Sequence, residues 1–252
     1  MKTAVTVFSL LFILLSPNLS AAQDNHFIIG VEELDYLPFY SGEGKTYSGY
    51  ARELLDAFAK ERGYSFDYRP LPVKRLLDTF LKNKVDFKFP DNSNWQTDLK
   101  KGFQIIYSEP AIVCIDGVLV LPNNKGRGIE HLKKLGTVLG FTAWDYLDHI
   151  KQGTIAISEN SSFQGLLKQV IIGRIDGAYI NPEVARYQLE RIMNQPRALV
   201  FDPVLPHTQS AYLLSTIKHP NIILEFNRFL KDKAALVEQL KKSHFMDVSN
   251  TP

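Results

Sequence analysis

Lys88 stands between Phe87 and Phe89 in a run that is otherwise apolar. A lysine in such a strand must carry its ammonium either to a wet cleft, where it faces an anionic ligand, or to a buried carboxylate, Asp86 or Asp91. Asp91 and Asn92 follow Pro90 and offer polar groups to a ligand or to a turn. Tyr36, Phe39 and Trp95 are large rings in loops, suited to sandwiching a flat or apolar ligand portion or to packing the loops themselves. Trp144 is a further ring of this kind, with a core position as its alternative. Arg75 lies near the start of an amphipathic segment. It can grip a carboxylate or phosphate by two parallel bonds, or lie on a solvated face beside Lys74. Thr142 brings a hydroxyl and a backbone N–H to an expected helix start, as an anion site or an N-cap. Asn181 precedes Pro182, the arrangement of a helix cap, which leaves ligand contact open.

Catalytic sets are harder to find. The six histidines show no His-x-x-x-His or Glu-x-x-His spacing, so no metal site is expected. No Gly-x-Ser-x-Gly elbow and no phosphate-cradling glycine loop occurs. The single cysteine, Cys114, sits in Ala-Ile-Val-Cys-Ile and reads as a small buried hydrophobe. Acid–base chemistry would fall to Asp91 and Glu183. Neither a cofactor nor a catalytic residue is expected.

The chain has 252 residues and a net charge of +2, too near neutral to favour nucleic acid as a partner. Lys2, the apolar stretch from Ala4 to Pro17 and the small residues Ser20-Ala21-Ala22 predict a secretory signal over residues 1–22, with a periplasmic product and no cysteine at the cleavage site for a lipid anchor. Outside the cytoplasm there is no ATP or reduced cofactor pool, which tilts the expectation from enzyme to binding protein.

The elements that must position these residues follow from periodicity. His26 to Glu32 reads as a buried strand. Ala51 to Arg62 is an amphipathic helix with Leu54, Leu55, Phe58 and Ala59 inward, ended by Gly63. Ser65–Arg69 and Val85–Phe89 are strands, with a helix over Val73–Asn83 between them. Ile112–Leu121 is a long β-rich stretch able to cross between lobes. Strands at Thr137–Gly140, Thr154–Ile157 and Ile175–Ile180 alternate with helices at Ala143–His149, Phe163–Ile172 and from Pro182. Ala198–Val204 and Ala211–Ser215 are expected to return as strands to the first lobe, before one closing helix over Asn221–Lys241. This βα alternation implies sheets with helices on both faces.

The order of these pieces resembles the type II periplasmic solute-binding proteins, in particular the extracellular family serving polar amino acid ABC transporters. The residues that carry the resemblance are Tyr36-Leu37-Pro38-Phe39, Ser48-Gly49-Tyr50, Asn83-Lys84-Val85-Asp86, Tyr107-Ser108-Glu109-Pro110, Leu139-Gly140-Phe141-Thr142-Ala143 and Gly173-Arg174-Ile175-Asp176-Gly177-Ala178. It implies an α/β, two-lobed fold, each lobe a mixed sheet flanked by helices, with residues 23–112 and 205–252 in one lobe, 113–204 in the other and the ligand cleft between. A monomer is implied, with a small molecule and an importer permease or a membrane sensor as partners. A dehydratase-like enzyme on the same fold is the catalytic alternative. Two departures bear on the ligand. The stretch after the third strand, Phe87 to Asp98, lacks the family's carboxylate-gripping arginine, and Asn181 stands where an aspartate usually holds the ammonium. A plain α-amino acid is therefore not expected, and Lys88 and Arg75 suggest an anion.

Overall fold

Alternation along β1 (His26–Glu32) decides where its helices go. The computed structural model describes residues 25–44 and 46–245; the expected signal segment, 1–22, lies outside them. Phe27, Ile29 and Val31 enter one apolar cluster, while Ile28 packs on the opposite side with Leu77 and Phe80. After the hairpin of β2 (Asp35–Tyr36) and β3 (Tyr40–Ser41), α1 (Tyr50–Arg62) buries Leu54, Leu55, Phe58 and Ala59. Gly63 ends α1 in the left-handed region, at φ 71°, and its N–H donates to the Ala59 carbonyl. β4 (Ser65–Leu71) then runs parallel to β1, with Ser65 opposite His26.

α2 (Val73–Leu81) closes the other face of β1. It comes so near that a Cβ on Gly30 would lie 2.6 Å from Leu76 Cδ1. The helix stops two residues short of the expected Asn83, which takes φ 56° to turn the chain. β5 (Phe87–Asp91) begins later than the expected Val85. Asp86 is occupied elsewhere: its carboxylate accepts the Ile28 N–H at 2.8 Å and meets Lys218 and His219. The short α3 (Thr97–Lys100) and β6 (Ile106–Tyr107) carry no periodic signal long enough to read from sequence.

β7 (Ile112–Val120) leads into the second half, formed by β8 (Lys134–Val138), α4 (Leu147–Lys151), β9 (Ala156–Asn160), α5 (Phe163–Ile171), β10 (Gly177–Ile180) and α6 (Pro182–Tyr187). β11 (Val200–Phe201), β12 (Thr208–Thr216), α7 (Pro220–Asp232) and α8 (Ala234–His244) follow. Eight strands form one path, β4-β1-β5-β12-β7-β10-β8-β9, with β6 beside β12 and β11 beside β7, and β2 and β3 pair apart from it. β4, β1 and β5 are mutually parallel, as are β10, β8 and β9; the pairings of β12 and β7 between them are antiparallel. This is the expected α/β architecture of two halves. Its join is a pair of strands: Thr208–Tyr212 of β12 lies along β7, and the rest of β12 pairs with β5.

Three expectations need correction. β11 is two residues long and pairs with Val120 and Leu119 of β7, so it belongs to the second half and does not return to the first. The closing helix is two helices that break at Lys233, because the apolar face of α7 (Ile222, Ile223, Phe226, Phe229) ends there and α8 buries only Val237. Ala143–His149 is a 3₁₀ turn over Trp144–Tyr146 leading into α4, not a continuous helix.

Candidate functional site

The carboxyl ends of β1, β5 and β10 and the loop after β8 border an open cavity of about 740 Å³, adjoining solvent space included. Ligands in open α/β sheets bind at such strand ends. The first half contributes Glu32, Tyr36, Tyr40, Val73, Lys88 and the Trp95-Gln96 turn. The second contributes Gly140, Phe141, Thr142, Trp144, Tyr179 and Ile180, and the crossing strands add Asp116 and Tyr212.

Tyr36 packs against both halves of this wall. It is 2% exposed, and its ring centroid lies 5.1 Å from Tyr40 in its own half. Across the join it lies 5.7 Å from Phe141 and 5.2 Å from Phe163. Its hydroxyl accepts from that of Tyr212 at 3.3 Å. Burial drives both phenols far above their usual pKa, so they remain neutral donors and acceptors. A second bridge between the halves runs from Gln188 Nε2 to Asp35 Oδ2, at 3.1 Å.

Lys88 meets both of its sequence readings. It lines the cavity, and its Nζ donates to Asp91 Oδ1 at 2.9 Å and to the Pro90 carbonyl at 2.8 Å. It also lies 5.7 Å over the Trp95 ring. Asp91, 0% exposed, sits behind it. Asp91 Oδ1 also accepts Lys100 Nζ and the Asn92 N–H, each at 2.9 Å, while Oδ2 accepts Ser215 Oγ at 2.7 Å. Burial alone would raise the Asp91 carboxyl, but Lys88 and Lys100 outweigh it and hold the carboxyl below its ordinary value. Glu32 lies on the wall nearby, with the Tyr40 hydroxyl donating to it. Burial raises its carboxyl and the charge of Lys88 opposes the rise.

Of the residues singled out in the sequence, Tyr36, Lys88, Trp95 and Thr142 form the wall, and Trp144 joins them as an exposed ring, not as core. Thr142 precedes a three-residue 3₁₀ turn whose N-cap is Ala143, so it is neither a cap nor at the N-terminus of a long helix. Phe39, Arg75, Asp91, Asn92 and Asn181 lie off the wall. Phe39 packs under it against Tyr212, with centroids 5.4 Å apart. Arg75 is exposed on α2, two residues beyond Val73. Asn92 shapes the turn that carries Trp95: its Oδ1 accepts the Asn94 N–H and its Nδ2 donates to the Ala211 carbonyl, both at 2.9 Å. Asn181 caps α6, its Oδ1 accepting the N–H groups of Glu183 at 2.8 Å and Val184 at 3.4 Å. Asn181→Ala is expected to cost about 1 kcal/mol of stability, read as a lower urea midpoint with an unchanged slope.

Glu32, Tyr40, Asp116 and Tyr212 are among the wall residues that the sequence did not single out. Asp116 carried the same signal as Lys88, a charge interrupting the apolar run Ile112–Leu121. The strand-end rule did not reach it because it sits mid-strand, opposite Thr208, where the chain crosses between halves. Burial raises its carboxyl to about 7, with the Tyr36 hydroxyl opposing and the Asp145 charge adding to the rise. Asp145 in turn accepts the Tyr179 hydroxyl at 3.2 Å and that of Thr208.

No protein-family model matches the chain, and no curated protein matches it. Solved structures do. An ancestral arginine-binding protein bound to arginine aligns with a TM-score of 0.69 at 18% identity, over 88% of this chain and 98% of its own. A histidine kinase sensor domain with similarity to periplasmic binding proteins aligns at 0.72 and 17% identity, over 89% and 98%. An ancestral amino acid-binding protein, a precursor of cyclohexadienyl dehydratase, aligns at 0.67 and 21% identity, over 88% and 96%. The fold is therefore that of the type II periplasmic binding proteins.

Proposed function

We propose that this protein is a solute-binding protein that captures a small molecule between two lobes, residues 23–112 with 205–252 and residues 113–204, and delivers it in the periplasm to the permease of an ABC-type importer. The observation that carries the reading is the cavity wall itself, built from both halves and bridged by Tyr36 against Phe141 and Phe163. A ligand touching both halves binds the closed arrangement better than an open one, and that differential affinity drives closure. Tyr36, Lys88, Trp95 and Thr142 act as contacts; Phe39, Asp91, Asn92 and Asn181 hold them in place. Arg75, exposed on α2, lies off the cavity wall and is assigned no contact.

Sensing is the second reading, because the kinase sensor domain shares this fold over nearly its full length. The dehydratase-like reading has less support. Its acid–base candidates lie off the wall, Asp91 between two lysines and Glu183 bonded to Arg186. An anionic ligand, suggested by Lys88 and Arg75, gains little either, since Lys88 is already paired with Asp91.

A thermal-shift screen of residues 23–252 against amino acids, organic acids, amines, sugars and small peptides tests the binding role. A true ligand at a hundredfold excess over Kd stabilises by about 2.7 kcal/mol and lowers the radius of gyration in solution scattering. No hit in any class would sink the binding role. A ligand that stimulates a reconstituted permease through this protein separates transport from sensing.

A further inference from the structure

We propose that the cavity takes an organic cation, an amine with an aromatic or hydrocarbon body and no carboxylate, its ammonium held by Asp116 and its body by the surrounding rings. This rests on the binding role proposed above and adds the chemical class of ligand.

The charges on the wall point this way. Its charged side chains are Glu32, Lys88 and Asp116. Lys88 and its neighbour Lys100 share Asp91, which leaves one surplus positive charge, and Glu32 lies within the field of Lys88 to match it. Asp116 has no such match: among the described residues no Lys, Arg or His forms an ion pair with it or with Asp145 behind it. A carboxylate group entering this cavity finds its one cationic side chain already neutralised. An ammonium finds an unmatched carboxylate.

The rest of the wall suits the same guest. Tyr36, Trp95, Phe141, Trp144, Tyr179 and Tyr212 present rings to the cavity. Ring faces attract an organic cation and also bury its apolar body. The groups facing Asp116 are the hydroxyls of Tyr36, Tyr179 and Tyr212, the thiol of Cys114 on its own strand, and Asp145. With its carboxyl held up near 7 by burial, Asp116 is partly protonated at neutral pH. Binding a cation favours the ionised form, so uptake releases a proton and strengthens as pH rises through 7.

The test compares probes of one shape and different charge: phenethylamine, phenylalanine and 3-phenylpropionate, with tryptamine and choline as further amines. Calorimetric titration of the unaltered protein at pH 8 is expected to show at least one amine binding more tightly than the zwitterion and the acid. Its affinity is expected to fall up to tenfold per pH unit below about 7. Asp116→Asn is expected to weaken the amine at least tenfold and to remove that pH dependence, with its unliganded melting point as the folding control. Should the variant fail to fold, the pH profile of the unaltered protein still decides. Tighter binding of the acid or the zwitterion overturns the cation proposal. So does silence from every amine while another compound class binds, and both results leave the binding role standing. Silence from every class overturns both.

Discussion

Asp91→Ala is expected to cost about 3–5 kcal/mol. The carboxylate accepts Lys88, Lys100, Ser215 and the Asn92 N–H, so its oxygens are saturated and fully buried. Truncation leaves Lys88 and Lys100, 4% and 8% exposed, facing each other without the carboxylate they share. Removing one partner of a buried cluster is far worse than removing the cluster, because the desolvation cost remains and the attraction does not. A double variant, Asp91→Leu with Lys100→Met, is therefore expected to be more stable than Asp91→Ala. Urea denaturation of both measures the difference, and an Asp91→Ala protein as stable as the parent would mean that the ammonium groups reach water.

The effect has a definite pH signature. The folded-state pKa of Asp91 lies below its unfolded value, so its contribution is fully present above the unfolded value of about 4 and is lost as pH falls through the folded one. The gap between parent and variant is expected to narrow below pH 4. At alkaline pH it is expected to narrow again, as Lys100, whose pKa burial already lowers, sheds its proton.

Tyr36→Ala is expected to cost about 3–5 kcal/mol as well, roughly 10 °C in melting temperature for a chain of this size, and to separate the two halves. Among the described residues its ring touches Tyr40 and Tyr212 on one side and Phe141 and Phe163 on the other. Without it the Gln188–Asp35 bond still joins the halves, but among the described residues no ring takes its place against Phe141 and Phe163. Solution scattering is expected to give a larger radius of gyration, with ligand affinity down at least tenfold. Tyr36→Phe keeps every ring contact and loses only the hydroxyl, so it is expected to cost about 1 kcal/mol and to keep the compact form. If the alanine variant stays as compact as the parent, the bridging role assigned to this ring is wrong.

The framework of the protein was legible because it follows local rules. The inward face of α1, its stop at Gly63 and the cap at Asn181 each follow from a few neighbouring residues. Elements fixed by distant partners were not. β11 exists only where it meets β7, and the start of β5 depends on what Asp86 does with Ile28, Lys218 and His219. The site divides the same way. Tyr36, Trp95 and Thr142, near strand ends, could be named from the order of elements, and Lys88 from the charge it brings into an apolar strand. Asp116 and Tyr212 could not, because they reach the cavity only where β7 and β12 cross. The anion suggested by Lys88 depended on a free ammonium, and a sequence does not show that Asp91 curls back to it three residues later.

The crossing of β7 and β12 also sets an order of assembly. The strand pairings of the second half all fall between residues 117 and 201, so its sheet can form once this stretch has been made, with Leu205 joining its core just after. The first half begins earlier and finishes last: β5 lacks its antiparallel neighbour, and the core around Phe58 lacks Phe226 and Phe229, until β12 and α7 arrive. A chain emerging from its N-terminus thus completes its middle before its beginning. The first-made strands wait, with apolar faces uncovered, for the last-made ones, and during that interval this half is the one that needs shielding from other chains.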